Sequence, residues 1–217
     1  MTCLIRGARG ALVGLAVLGA APAAADVTPA QVWENWSSYM ERLGYDVTAS
    51  TEAAEGTLTV RTIEMTMELP EEDGAFEMTI PELRLSETGD GGVRLALPAT
   101  LPIAFSVAPE DDETVEGRVN LTQEGFDMVV TGTPEDMLYR FGADRLAVVT
   151  DTLRVDGQPF DGFSFETALT GMTGKSQVTK GDLRRIVQSM AAAGAGYALR
   201  ATDPEEGGTV DIAGTMT

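Results

Sequence analysis

The chain has 217 residues, with 34 acidic and 15 basic side chains and no histidine. A net charge of −19 repels nucleic acid, whose binding depends on Lys and Arg neutralising phosphates, and it disfavours direct adhesion to anionic lipid head groups. The missing histidine removes the commonest general base and the commonest transition-metal ligand.

Residues 1–9 form a basic head carrying Arg6 and Arg9, and residues 11–21 form an apolar run. Ala23-Ala24-Ala25 then supplies an A-x-A pattern before Asp26. This is the layout of a secretory signal peptide over residues 1–25. The run is shorter than the roughly 20 apolar residues of a spanning helix, which favours cleavage over an uncleaved anchor. The expectation is export to the periplasm, with residues 26–217 as a single domain. Cys3 would leave with the signal, so the processed chain would hold no cysteine for a disulfide. No later stretch reaches transmembrane length.

The processed chain opens with a punctuated helix. Thr28 suits the N-cap, Pro29 the first helical position, and Gln31 completes a capping box. Trp33, Trp36, Met40 and Leu43 follow at spacings of three and four, one helical face, and Gly44 is a natural stop. An apolar helical stripe usually packs on a core. Trp33, Trp36 and Met40 are also the candidate partner or lipid contacts.

From Tyr45 to about Thr170 the period changes to two. Thr57–Leu69 alternates, but its parity switches between Val60 and Ile63, which predicts a bulge or bend. After an acidic turn at 70–74, Phe76, Met78 and Ile80 alternate. Pro81 is expected to break that strand, with Leu83 and Leu85 in the opposite parity. Gly89-Asp90-Gly91-Gly92 is a hairpin tip. Val93, Leu95 and Leu97 return from it, and Ile103, Phe105 and Val107 alternate after Pro102. Acidic residues 110–113 make another tip. Val119, Leu121, Phe126, Met128 and Val130 continue the pattern around a turn at Glu124-Gly125. Residues 133–136 read either as a turn or as the cap of a short helix. Met137, Tyr139 and Phe141 alternate; further strands lead to a turn at Asp156-Gly157 and an aromatic cluster of Phe160, Phe163 and Phe165.

Thr179 and Asp182 resemble a capping pair, and Leu183, Ile186, Val187, Met190 and Tyr197 give a helical stripe. A second helix near 180–199 is therefore expected, weakened by Gly194 and Gly196 at about 1 kcal/mol each. Thr209–Thr217 is a last strand without a stop signal. It reads either as a sheet edge or as a strand whose partner lies beyond Thr217. The sum is a mainly β (α+β) chain: a curved antiparallel meander with one dry and one wet face, and two helices packed against it.

Chemistry is sparse. Gly174-Lys175-Ser176 resembles the end of a phosphate-binding loop, but Leu169 stands where the first glycine belongs, so a polar turn before the second helix is expected. Ser164 lacks the second glycine of G-x-S-x-G, and no histidine can serve it. The acidic clusters at 71–73, 110–113 and 203–206 do not match a calcium loop. No catalytic residue, metal site or cofactor is expected, and the chain reads as a non-enzyme.

The run Asp26-Val27-Thr28-Pro29-Ala30-Gln31-Val32-Trp33, the Gly44-Tyr45 exit and the meander behind them resemble an alphaproteobacterial envelope family catalogued as domain of unknown function 2125. The resemblance covers the chain from Asp26 onward and implies no activity, cofactor or catalytic residues. Members of that family are typically longer, which implies a partner strand beyond Thr217. The β pattern is more loosely similar to the AsmA-like group, whose grooved sheets are associated with lipid handling. That likeness is a fold-level analogy only. The expected function is a non-enzymatic binding or scaffolding module with a curved sheet surface, its ligand a lipid. The alternative is a structural or protein-interaction module with an envelope protein as partner and no small ligand. A histidine-free hydrolase is a distant third.

Overall fold

The computed structural model describes residues 27–69, 74–108, 113–181, 183–202 and 207–217. The expected signal peptide over residues 1–25, Asp182 and most of the three acidic clusters lie outside them. Among the described residues one helix, α1 (Pro29–Arg42), precedes a single antiparallel sheet of thirteen strands. Among the described residues no helix is long and apolar enough to cross a membrane.

The sheet is a meander. β1 (Asp46–Ala54), β2 (Thr57–Leu69) and β3 (Gly74–Glu87) pair in succession. The next pass is split into β4 (Val93–Ala96) and β5 (Thr100–Ala108), which pair with opposite ends of β3. The pass after it, β6 (Val115–Glu124) and β7 (Asp127–Thr133), runs back along both, and β8 (Asp136–Val155) lies along the whole of that pass. A stub, β9 (Gln158–Pro159), caps β8. β10 (Phe163–Thr179) pairs with β8 on one side. On its other side lie β11 (Arg185–Ala191) and β12 (Gly194–Thr202), two halves of one return pass. β13 (Thr209–Met216) pairs with β12, its one partner among the described residues.

Tight turns with the chemistry their geometry demands make this possible. Asp156 and Gly157 sit at φ 47° and 72°, both left-handed, which is the hairpin turn whose twist matches the strands. Thr88 and Gly92 close the Gly89–Gly92 tip through a 2.8 Å backbone hydrogen bond. Residues 133–136 are a hairpin turn, not a helix cap: the Asp136 N–H donates to Thr133 Oγ1 at 3.2 Å.

A line of irregularities crosses the strands. Arg61 pairs with Glu82 and Ile63 with Ile80, leaving Thr62 (φ 49°) and Pro81 unpaired between them. Farther along, Thr170 pairs with Arg145 and Met172 with Ala143, around Gly171 (φ 57°) and Asp144. On the next pass the gap between β11 and β12 faces Gly171, where an added Cβ would lie 2.9 Å from the Ala193 methyl. Each irregularity reverses the alternation, so the apolar residues stay on one face. Leu58 and Val60 are buried before Thr62, and Ile63 and Met65 after it. The parity switch in the sequence is this bend. The sequence predicts a strand break at Pro81, but β3 runs through it: Pro81 occupies the unpaired position, where its missing N–H costs no ladder bond.

The second expected helix is absent. Residues 185–202 are β11 and β12, paired along β10. Gly194 and Gly196 oppose a helix there, whereas the ladder of β10 satisfies their backbone at once. The proposed stripe has no core to face: Leu183 is 87% exposed, and Ile186, Val187 and Met190 are exposed as well. Gly174-Lys175-Ser176 is correspondingly no turn, but lies inside β10.

The core sits where α1 crosses the dry face. It combines Val27 and Val32 with Leu58, Val60, Leu85, Val93, Val130, Met137 and Tyr139. The opposite, wet face carries cross-strand ion pairs, including Arg61 with Glu52 (2.6 Å) and Glu82 (3.0 Å), Arg145 with Glu166 (2.9 Å), and Arg200 with Asp211 (2.7 Å). Hydrogen bonding to Arg84 and Arg61 holds the Glu82 carboxyl below the usual range.

Candidate functional site

The site is built on α1. Thr28 Oγ1 accepts from the Gln31 N–H at 3.3 Å, and Gln31 Oε1 accepts from the Thr28 N–H at 2.9 Å, which is the capping box read from sequence. Gly44, at φ 98°, turns the chain out of the helix into β1.

The buried side of the helix is not quite the predicted stripe. Pro29, Val32 and Asn35 point into the sheet, with Val32 and Asn35 essentially inaccessible. Trp33, Trp36 and Met40 are half-buried on the flank, and Leu43 is 52% exposed. The stripe is turned by about one residue because a polar side chain, Asn35, occupies a core position. No apolar pattern marks such a residue.

Asn35 belongs to a buried polar cluster. Its Oδ1 accepts from the Tyr139 hydroxyl at 3.3 Å and from an Arg184 guanidinium nitrogen at 2.5 Å. A second Arg184 nitrogen donates to the Asn35 carbonyl at 3.3 Å. The guanidinium also lies 4.8 Å from the centre of the Tyr39 ring, a cation–π contact. Trp36 stacks on Tyr139 with centroids 6.4 Å apart. Arg184 thereby clasps the turn between β10 and β11 to the helix. Burial pushes the Tyr139 hydroxyl up to about 12, against the opposing pull of the Arg184 charge. Burial likewise draws Arg184 below its ordinary range, and Tyr139 resists that shift. Asn35 Nδ2 and Arg184 Nε have no partner among the described residues. Asn35, Tyr139 and Arg184 were missed by the sequence reading; they lie 104 and 149 residues apart, so only the fold joins them.

On the other flank of α1 lies a cleft of about 350 Å³. Trp33, Trp36 and Met40 form its helix wall; Val47, Ile63, Met65, Ile80 and Leu83 form its sheet floor. Its polar residues are Ser37, whose hydroxyl donates to the Glu34 carbonyl at 3.3 Å, and Tyr39, beside the indoles of Trp33 and Trp36. All three residues singled out from sequence therefore line one apolar space. The bend at Thr62 places Ile63 and Met65 on that floor, since unbroken alternation would aim them at the wet face.

Nothing in the cleft is arranged for acid–base work. Ser164 is exposed on β10, opposite Arg200. Among the described residues no three acidic or sulfur side chains cluster as a metal site. No family model, no curated protein and no solved structure matches the chain.

Proposed function

We propose that this chain is a non-enzymatic binding module of the cell envelope that takes an acyl chain into the cleft beside α1. The carrying observation is the cleft itself: about 350 Å³, walled by Trp33, Trp36, Met40, Ile63, Met65, Ile80 and Leu83. Ligand sites of this size are mostly apolar with few polar groups, and methionines adapt to flexible occupants. Besides the indole N–H groups of Trp33 and Trp36, Ser37 and Tyr39 are the polar residues of the wall, a sparse set for a polar metabolite.

Both tryptophans of the protein line the cleft, so its intrinsic fluorescence reports on one place. Titration with a bromine-labelled fatty acid is expected to quench that fluorescence saturably. Ile80→Phe, which fills the floor, is expected to abolish quenching without lowering the melting temperature. Quenching that never saturates, or that is equal in Ile80→Phe, refutes the proposal.

A second reading, a protein-interaction module, draws on the uncovered apolar residues of β11 and β13, among them Ile186, Met190 and Ile212.

A further inference from the structure

We infer that the ligand of the cleft carries a carboxylate, and that Arg184 and Asn35 receive it at the Tyr39 end; this rests on the acyl-chain reading above. Trp36 and Tyr39 belong both to the cleft and to the buried polar cluster beside it. Each lines the cleft wall. On the cluster side Trp36 stacks on Tyr139, and the Arg184 guanidinium lies 4.8 Å from the centre of the Tyr39 ring. One aromatic side chain therefore stands between an apolar space and a cation. Arg184 lies in the turn before β11, not in a ladder, and it is only partly buried. Its head group is free to turn along the Tyr39 ring toward the cleft.

The cluster lacks an acceptor. Asn35 is 1% exposed, yet its Nδ2 has no partner among the described residues, and neither has Arg184 Nε. Buried polar groups are normally paired, and both of these atoms can only donate. The cluster also lacks a negative charge. Arg61, Arg145 and Arg200 each meet a carboxylate on the wet face. Arg184 meets none among the described residues. It is held by the neutral Asn35 and Tyr39, and the charged side chain acting on it is Arg42, a second cation. In a chain of net charge −19, two arginines without a facing acid make a place where an anion is welcome. Two free donors suit the two oxygens of a carboxylate. A phosphate monoester brings more charge and more acceptor oxygens than this pair answers.

The test compares a brominated long-chain fatty acid with the alcohol and the alkyl phosphate of the same chain, read by tryptophan quenching. The acid should bind about tenfold more tightly than the alcohol, the effect of one charge-assisted hydrogen bond. In Arg184→Gln the acid should fall to the affinity of the alcohol. The alcohol should bind that variant as it binds the native protein, which shows the cleft intact. Arg42→Gln, at an exposed position, should narrow the ratio of acid to alcohol by a smaller factor. Equal affinity for acid and alcohol in the native protein, or a ratio that survives Arg184→Gln, overturns the carboxylate and leaves the acyl cleft standing. So does tighter binding of the phosphate, which reassigns the head group. Loss of both ligands in Arg184→Gln, with the ratio unmoved in Arg42→Gln, makes Arg184 a structural clasp and overturns its assignment. If neither acid nor alcohol quenches the native protein, the acyl-chain reading itself falls.

Discussion

The strands under α1 and the strands that follow β10 obey the same alternation, yet only the first set has a core. Leu58, Val60, Leu85, Val93 and Val130 are buried there. In β11, β12 and β13 not one residue is. Backbone ladders join the strands in both regions, so hydrogen bonding does not make the difference. A second layer does. A sheet buries its dry face only against another element, and α1 reaches only one part of this one. The lesson is that alternation specifies which side of a strand is apolar, not whether anything will cover it.

The largest expected effect tests that contrast directly. Leu85→Ala, at a fully buried site, should lower stability by about 2–5 kcal/mol, as core truncations do. Leu199→Ala, on half-covered β12, should cost about 1 kcal/mol or less. Urea unfolding of both variants measures the difference, and equal losses would mean that the far strands hold a core of their own.

A smaller effect sharpens how α1 is fastened. The Tyr139 hydroxyl, near 10 in the unfolded chain, is raised to about 12 when folded. Above pH 10 the unfolded chain ionises first. Stability is thus intact below pH 10 and falls as pH rises from 10 to 12, by about 2–3 kcal/mol for two pK units. Urea midpoints across that range should fall in the native protein more steeply than in Tyr139→Phe. Parallel profiles would place the hydroxyl outside the buried cluster.

The smallest concerns the helix entrance. Thr28→Ala removes the cap on the Gln31 N–H and should cost about 1 kcal/mol. Because α1 is the covering layer, the loss should appear as faster amide exchange in β2, β3 and β7 and leave β12 and β13 unchanged. Uniform acceleration would show that the sheet opens as one unit.

Much of this architecture was legible in advance, and the failures have physical causes. The parity switch at Val60–Ile63, the Gly89–Gly92 and Asp156-Gly157 turns and the capping box were all readable, because each is a local event set by a few neighbouring residues. The helix expected near 180–199 came from Ile186, Val187 and Met190, whose spacing fits a helical face by accident. The competing ladder on β10 is a long-range partner that no local window contains. The candidate site was half legible: Trp33, Trp36 and Met40 do share one wall, but its floor comes from β1, β2 and β3. Tyr139 was legible as a strand position, but its meeting with Asn35 and Arg184 was not, since a buried asparagine in a helix looks like a surface one.

By itself, the amino-acid order determined the antiparallel class, the turns, the ends of α1 and the division into a dry and a wet face. All of these follow from side-chain period and local backbone preference. Only tertiary structure decided which dry residues become core and where the apolar cleft opens. Those outcomes depend on how far a single helix can reach across a bent sheet, and that distance is set by packing in space.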